Sequence, residues 1–498
     1  MSLRRRQSLA SASMLVLAAC AVGPDFQAPA PPAAMNFTKA PLPEATESAP
    51  IAGGEAQHFA ADADIPGNWW TLFHSQQLDA LVADALKANP TLEAAQNALR
   101  VAMENVRAQQ GAFYPAVTGS FAASRNKNAE VLAPTLSSNE LLFNLYQAQL
   151  AVSWAPDIFG GNRRQVEALR AQAEAQRLQL RATYIALSAN VVAAAVQEAS
   201  LRDQIAAAQE VIRNVGDALA IIRRQNALGQ IAGADVAAEE AALAQAQQAL
   251  PSLEKQLAQQ RDLLTALAGR LSADEIDEAF ELSDLELPRE LPVSLPSKLV
   301  QRRPDIMIAE QNLHAASAEV GVAIAAEFPS ITLTAADGSV ATKLGSLFGA
   351  GGGFWALGAG LTQPIFQGGT LLHRTRAAEA AYDQAASVYR STVVTAFQNV
   401  ADTLHALAYD AETLKAAVAT ETAASRSLEI ARRQVELGQS QYLALLTAQQ
   451  AYQQALSNRV QAQASRYADT AALFQALGGG WWNNAELLAG SAAKELER

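Results

Sequence analysis

Apolar and polar residues alternate strictly from Tyr146, with Tyr146, Ala148, Leu150, Val152 and Trp154 set against Gln147, Gln149, Ala151 and Ser153. A period of two is that of a strand with one apolar and one polar face. The pattern returns where Trp355, Leu357, Ala359 and Leu361 alternate with Ala356, Gly358, Gly360 and Thr362. Residues 116–126 and 331–337 are the expected hairpin partners, entered through Tyr114–Pro115 and Phe328–Pro329. Each strand has about 10 residues, enough to cross an apolar layer when tilted.

Elsewhere the spacing is helical. Residues 162–228 hold no proline and only Gly216, so they predict one helix roughly 100 Å long. It stops at Gly229, and a return helix covers 233–269, interrupted by Pro251, a residue that kinks helices. After a short helix over 75–88, Asn89 caps a helix opened by Pro90 that runs to about Gly111 and makes up the difference in length. The second half gives the same sum from 370–437, 440–477 and 304–326. The fold class is therefore mainly α with a small β part, a tube of long helical hairpins with a cap of strands.

The two halves are copies. Pro90 and Pro304, then Pro115 and Pro329, recur at a shift of about 214 residues. Ile-Phe-Gly-Gly at Ile158 recurs as Ile-Phe-Gln-Gly-Gly at Ile365, and Arg223–Gln230 recurs as Arg432–Gln439, at shifts of about 207–209. Such a unit is far longer than a solenoid repeat, so half of the chain has been duplicated. Duplication favours closed pseudo-symmetric assemblies. Four strands cannot close a barrel, and open edges are not tolerated in lipid, so closure demands several chains. Three chains give twelve strands.

The expected organisation follows. Residues 1–19 are a lipoprotein signal peptide and 20–66 a lipidated extended segment. The first repeat is 67–270, with a β-hairpin at about 114–156 and a helical tip near 229. A linker at 271–296 leads to the second repeat, 297–480, with a β-hairpin at about 328–366 and a tip near 438. Residues 481–498 form a C-terminal segment and tail.

Composition agrees: alanine, glutamine and leucine dominate while aromatics make up only 6 %, the palette of long helices packed through small side chains. The net charge of −12, with no basic block after the N-terminus, argues against nucleic acid as a partner. Basic residues 4–6 and a short apolar run over 9–19 form a secretory signal, and the small residues before Cys20, the single cysteine, read as a lipobox. The mature part has no run of 18 apolar residues, so no helix is expected to cross a bilayer, and any spanning falls to strands.

Several segments together resemble the TolC-like outer-membrane efflux channels, in particular the NodT-type lipoprotein branch serving resistance-nodulation-division pumps. They are Cys20–Gln27, Trp69–Leu78, Leu295–Asp305 with its Arg-Arg-Pro-Asp run, Glu319–Ser330 with its Phe-Pro-Ser run, and Pro364–Gly369. The resemblance covers almost the whole mature chain. It implies a homotrimer with a twelve-stranded outer-membrane β-barrel, a periplasmic α-helical tunnel and an equatorial belt, with Ala21 after Cys20 directing the lipoprotein to the outer membrane. The belt would take the N-terminal segment, residues 272–296 and the C-terminus, where Trp481 and Trp482 read as packing anchors.

The hairpin tips, furthest from the strands, share one signature: Leu228, Gly229 and Gln230, repeated as Leu437, Gly438 and Gln439. The glycines end helices, and the resemblance implies that these tips also dock a periplasmic adaptor and form the gate. The family's gate carries an acid within Leu-Leu-Asp-Ala-Gln. Here Thr447 stands in that place, so the resemblance carries no carboxylate ring to this position. Leu443 matches the hydrophobic constriction. Asp235 reads either as a gate charge or as a first-turn helix acid.

An enzyme has little support. His58, His74, His314, His373 and His405 lack metal-ligand spacing, no serine sits in a Gly-x-Ser-x-Gly turn, and the glycine-rich run from Gly349 to Gly353 reads as a loop between strands. No cofactor is expected beyond the lipid on Cys20. The function read here is a passive outer-membrane duct exporting small toxic molecules, working with an adaptor and an inner-membrane pump. The alternative keeps the duct and changes the cargo to protein, delivered by an ATP-binding-cassette exporter.

Overall fold

The computed structural model describes residues 21–32, 36–131, 136, 138–437, 439 and 442–484. In chain order the elements are β1 (His58–Ala61), α1 (Gln76–Ala88), α2 (Pro90–Gln110), β2 (Ala116–Lys127), β3 (Leu142–Trp154), α3 (Gly161–Ala227), α4 (Gly233–Leu267), β4 (Glu290–Val293), α5 (Pro296–Arg302), α6 (Pro304–Ala325), β5 (Ser330–Ala341), β6 (Gly353–Thr362), α7 (Thr370–Glu436) and α8 (Tyr442–Ala476). Helix takes 63 % of the chain and strand 12 %, which makes the class mainly α. The twin long helices α3 and α7 each have 67 residues, and their return helices α4 and α8 each have 35, so the duplication is preserved in length.

Two compact units share the chain, and each draws on both repeats. The first takes residues up to Pro29, Ala98–Gln176 and Ala309–Tyr389; the second takes the rest. The first unit holds an antiparallel sheet in the order β2-β3-β5-β6. Its registers put Val117, Phe121, Leu150, Leu333, Trp355, Leu357 and Leu361 on one face, and all are exposed. Thr118, Ser120, Gln149, Ser153, Thr332 and Thr334 line the other face, among Gly358 and Gly360. Asp337 lies on the same face as Leu150 and Trp355, but the face is otherwise largely apolar. An exposed face of this kind belongs against lipid, and the polar face against water. Tyr146 and Trp154 bracket the apolar face of β3. Eight residues apart, they stand about 27 Å apart along the strand, close to the ~25 Å apolar band of an outer-membrane barrel.

The N-terminal strap docks on this unit. Val22 donates its N–H to the Phe159 carbonyl (3.1 Å), and Arg164 donates to the Val22 and Gly23 carbonyls and pairs with Asp25 at 2.7 Å. Phe26 stacks on His314 with centroids 4.4 Å apart, and His314 contacts Glu167 at 2.9 Å. Gly23 has φ of +97°, and a Cβ there would meet the Gly321 backbone at 2.4 Å, so only glycine lets the strap approach α6.

In the second unit, residues 44–66 wrap a core of aromatic and apolar side chains. β1 and β4 pair in parallel, with His58 opposite Glu290. Trp69 stacks on Phe474 at 5.1 Å. The fully buried Arg466 donates to the Gly53 carbonyl and the Thr46 hydroxyl, both at 3.1 Å, and to the Glu55 carbonyl. Neighbouring Tyr467 donates to the Leu285 carbonyl at 2.7 Å, so two adjacent residues of α8 hold both the N-terminal segment and the stretch before β4. Glu198, also fully buried, accepts from Arg202 (2.7 Å) and Arg261 (2.9 Å), while Arg261 reaches the Ile276 carbonyl (2.7 Å). The Arg-Arg-Pro-Asp run has a packing role. Arg303 donates to the carbonyls of Ala396 and Ala476, and Arg302 lies 4.4 Å from the Trp482 ring centroid. Buried Trp481 donates to the Arg302 carbonyl at 2.8 Å, so it packs as an anchor within this unit.

Several expectations change in detail. There are six described strands rather than four, because β1 and β4 form a short ribbon whose four-residue partners lack a period long enough to read. β5 is longer than 331–337, since its polar end pairs through the backbone as far as Ala341. The N-terminal segment is docked rather than merely extended, and α4 runs through Pro251 without interruption. Cys20 lies outside the described residues.

Burial and the adjacent Asp469 carboxylate push Asp410, on α7, up to about 7, against a smaller lowering by Arg466. The folded state therefore holds that proton more tightly than the unfolded chain. The resulting stability is full below about pH 4 and is lost as pH rises through about 7. After allowance for partial solvent screening it amounts to roughly 1–3 kcal/mol. The wild-type urea midpoint should fall between pH 5 and pH 8, and Asp410→Asn, which keeps a donor toward Asp469, should flatten that fall.

Candidate functional site: the hairpin tips

The first tip closes α3 with paired backbone bonds: Gly229 N–H to the Asn226 carbonyl and Gln230 N–H to the Gln225 carbonyl, each 2.9 Å. Gly229 has φ of +70°, and nothing lies within 4 Å of the position a Cβ would take. Conformation rather than packing demands the glycine, and the backbone there is left bare. At the second tip the Gln439 N–H bonds the Gln434 carbonyl at 2.8 Å, the counterpart of the Gln230–Gln225 bond. Gly438 lies outside the described residues. Leu228 is 68 % exposed and Leu437 62 %, so both tips present a bare leucine beside an exposed glutamine.

Leu443 and Thr447 lie one turn apart on an exposed face of α8, and the Thr447 hydroxyl donates to the Leu443 carbonyl at 2.9 Å. That face therefore presents an apolar side chain and a hydroxyl whose proton is already engaged. Asp235 sits in the first turn of α4, and its carboxylate accepts the Ala232 N–H at 3.3 Å. Of the two readings of Asp235, the first-turn acid is the one with an observed bond.

Behind the exposed tips, four helices share one core. Ala218 and Ile222 of α3, Ala431 and Val435 of α7, and Tyr442, Leu445 and Ala448 of α8 pack together, with Val236 and Ala238 of α4 against them. A buried polar junction crosses this core. Fully buried Glu239 on α4 accepts from the Tyr442 hydroxyl and from the Gln449 amide (3.0 Å), both on α8. Gln225 on α3 donates to the Val435 carbonyl of α7 at 2.8 Å. One helical layer deeper, the Tyr452 hydroxyl donates to Glu210 at 2.7 Å. Burial and the Glu239 carboxylate hold the Tyr442 hydroxyl far above its ordinary pKa, and burial with Glu210 pushes Tyr452 up to about 12. Both phenols thus remain donors at any physiological pH.

Sequence reasoning missed Glu239, Gln225, Glu210, Tyr442, Gln449 and Tyr452. The available signal was polar side chains on a buried stripe: Tyr442, Gln449 and Tyr452 fall at helical spacing with Leu445 and Leu456. Among the described residues no cluster of His, Cys, Asp and Glu is arranged to hold a metal.

Glu239→Ala leaves the Tyr442 hydroxyl and the Gln449 amide without their buried acceptor, a cost of about 1–3 kcal/mol. Limited proteolysis of the folded protein should cut faster around 228–235 and 436–442. Glu240→Ala removes only the exposed pair with Arg223 and should cut at the wild-type rate.

Comparison with known proteins agrees with this architecture. A model of the family described as outer membrane efflux protein matches residues 81–270 and 295–479. The antibiotic efflux pump outer membrane protein ArpC of Pseudomonas putida is 30 % identical over 468 residues, 94 % of each chain. The outer membrane protein OprJ of Pseudomonas aeruginosa is 29 % identical over 471 residues, again 94 % of each. The solved structure of the outer-membrane channel OprN superposes with a TM-score of 0.81 at 26 % identity, covering 93 % of this chain and all of that one.

Proposed function

Because the chain belongs to the outer membrane efflux protein family, we propose that it is the outer-membrane duct of a tripartite efflux assembly. Three copies contribute four strands each to a twelve-stranded barrel, and their long helices form the periplasmic tunnel. The observation that carries this reading is the four-stranded sheet with an exposed apolar face, joined in one chain to twin 67-residue helices that end in matching bare tips. The names of relatives such as ArpC favour small toxic molecules as cargo.

Within this reading the tips, Leu228, Gly229 and Gln230 with Leu437, Gly438 and Gln439, dock a periplasmic adaptor, which opens the duct by binding the open tip conformation more tightly. The adaptor in turn links the duct to an inner-membrane resistance-nodulation-division pump. Leu443 and Thr447 form the gate constriction, with Asp235 behind it as a fixed charge. Cys20 carries the lipid, and the strap that follows it, from Ala21 to Phe26, is seated beside Phe159 and Arg164. The repeats are taken as 67–270 and 297–480, with the linker and C-terminal segment in the belt.

Photo-crosslinking in living cells from a reactive amino acid at Gln439, and at its twin Gln230, should capture a periplasmic adaptor identified by mass spectrometry. Capture from neither position would remove the docking assignment. In planar bilayers Thr447→Asp should raise the cation preference of the conductance severalfold through a ring of three carboxylates. An unchanged preference would place Thr447 away from the constriction.

A further inference from the structure

β3 leads through residues 155–160 into α3, and α6 leads through 326–329 into β5, so the seam between α3 and α6 hangs beneath the two central strands of the sheet. A cavity of about 480 Å³ opens on that seam, lined by Arg163, Glu167, Arg170 and Ala171 of α3 with Gln311 and His314 of α6. Three arginines stand in the first ten residues of α3, and two are answered within the chain. Arg163 pairs with Asp157 at 3.3 Å, and Arg164 pairs with Asp25 at 2.7 Å and with Glu167 at 2.8 Å. Arg170 is exposed and, among the described residues, has no such partner. Glu167 sets the opposite sign one turn away, roughly 5 Å along the helix. Burial raises its carboxyl, but the bonds from Arg164 and His314 outweigh that and hold it below its ordinary pKa. Each Glu167 oxygen accepts one of those bonds and keeps a second lone pair. An unanswered cation and a fixed anion therefore face one cavity.

The strap marks which side of the sheet this cavity faces. Phe26 of the strap stacks on His314 at the cavity wall. A Cβ on Gly160 would lie 2.6 Å from the Ala21 Cα and 3.3 Å from Arg163 Nη2, so the strap passes the cavity on its way back to Cys20. The lipid assigned to Cys20 has to enter the membrane, which puts the cavity on the lipid side. Above it Trp154 stands opposite Leu333 on the apolar face of the sheet. Depth agrees. Arg163 lies about 3 Å and Arg170 about 14 Å down α3 from its first residue, and helical side chains lean back toward the helix start. The headgroup layer below the hydrocarbon is roughly 5–8 Å deep, within reach of both guanidinium groups.

We propose that the cavity holds the headgroup of a membrane phospholipid bearing both a phosphate and a primary ammonium, a phosphoethanolamine. Arg170 and the Gln311 amide donate to the phosphate oxygens, Glu167 accepts from the ammonium, and the acyl chains rise over Trp154 and Leu333. The two-carbon linker of the headgroup spans the single helical turn between Glu167 and Arg170. A phosphocholine fills the same space but offers Glu167 no N–H, and a phosphoglycerol brings it no cation. The lipid on Cys20 carries neither charge, so it lies beside this headgroup rather than in its place. This site rests on the reading of the sheet as membrane-spanning and adds to it a lipid partner with named contacts.

The test is native mass spectrometry of the full chain, delipidated in detergent and given dioleoyl phosphatidylethanolamine, phosphatidylcholine or phosphatidylglycerol at equal concentration. Each chain should retain one phosphatidylethanolamine, severalfold more strongly than either of the others. Arg170→Ala, a change at an exposed position that does not threaten the fold, should weaken that retention about tenfold. Glu167→Gln should erase the preference over phosphatidylcholine. Arg224→Ala, which removes another exposed arginine near the far end of α3, should leave retention as in the wild type. Equal retention of the three lipids, or wild-type retention by Arg170→Ala, would overturn the site. Glycerophosphoethanolamine, the same headgroup without acyl chains, separates the two sources of this chemistry. If it is held as tightly as the whole lipid, the cavity belongs to a soluble phosphoester and the lipid assignment is overturned. Insertion into phosphatidylethanolamine-containing liposomes separates the two layers of the argument. A chain that inserts but shows no headgroup preference overturns the site alone, whereas one that fails to insert overturns the membrane-spanning reading as well.

Discussion

Backbone hydrogen bonding in a medium without water is the constraint on which the structure depends. β2 and β6 each leave one row of N–H and C=O groups unpaired, while the sheet they bound carries a largely apolar exposed face. Water disfavours the face and lipid disfavours the edges, so neither environment suits the single chain. Both demands are met together only when unlike edges of several copies pair into a closed wall. The polar face, with Thr118, Ser120, Gln149 and Thr334 among glycines, then lines the enclosed space.

The helices face the opposite problem: a great length of backbone satisfied internally, with few large side chains to hold neighbours in place. Alanine-rich stripes bring helix axes close, and the α3, α4, α7 and α8 core near the tips is built mostly from alanine and branched aliphatics. Such surfaces slide easily, because one small residue resembles the next. Specificity comes instead from a few buried polar contacts, each with a single satisfactory alignment. Glu239 with Tyr442 and Gln449, and Glu210 with Tyr452, set the two hairpins against one another near the tips. Arg466 and Tyr467 do the same for the N-terminal segment and the stretch before β4, accepting no position in which their donors lose the carbonyls of Gly53 and Leu285. A break in any of these leaves a buried group unpaired, which costs more than the bond itself contributes.

Much of this was legible in the chain. Alternation from Tyr146 and from Trp355 set the faces of β3 and β6, because side chains in a strand have no choice but to alternate. Gly229 marked the first tip, because the left-handed turn that ends the helix there excludes most other residues. The paired landmarks revealed the duplication, and with it the matching 67-residue helices. Short elements were harder: β1 and β4 hold together only as partners, and four residues carry no period.

What the sequence determined by itself was local and periodic: where helices run, where they stop, which strand face is apolar, and that the chain contains the same unit twice. The tertiary structure decided which distant residues meet. Glu239 and Tyr442 lie 203 positions apart, and Arg466 and Gly53 lie 413 apart. Their meeting depends on how each helix is rotated about its own axis, an angle that the packing of several helices sets together. A polar residue on a buried stripe can be recognised from its spacing, but its partner belongs to the assembled core.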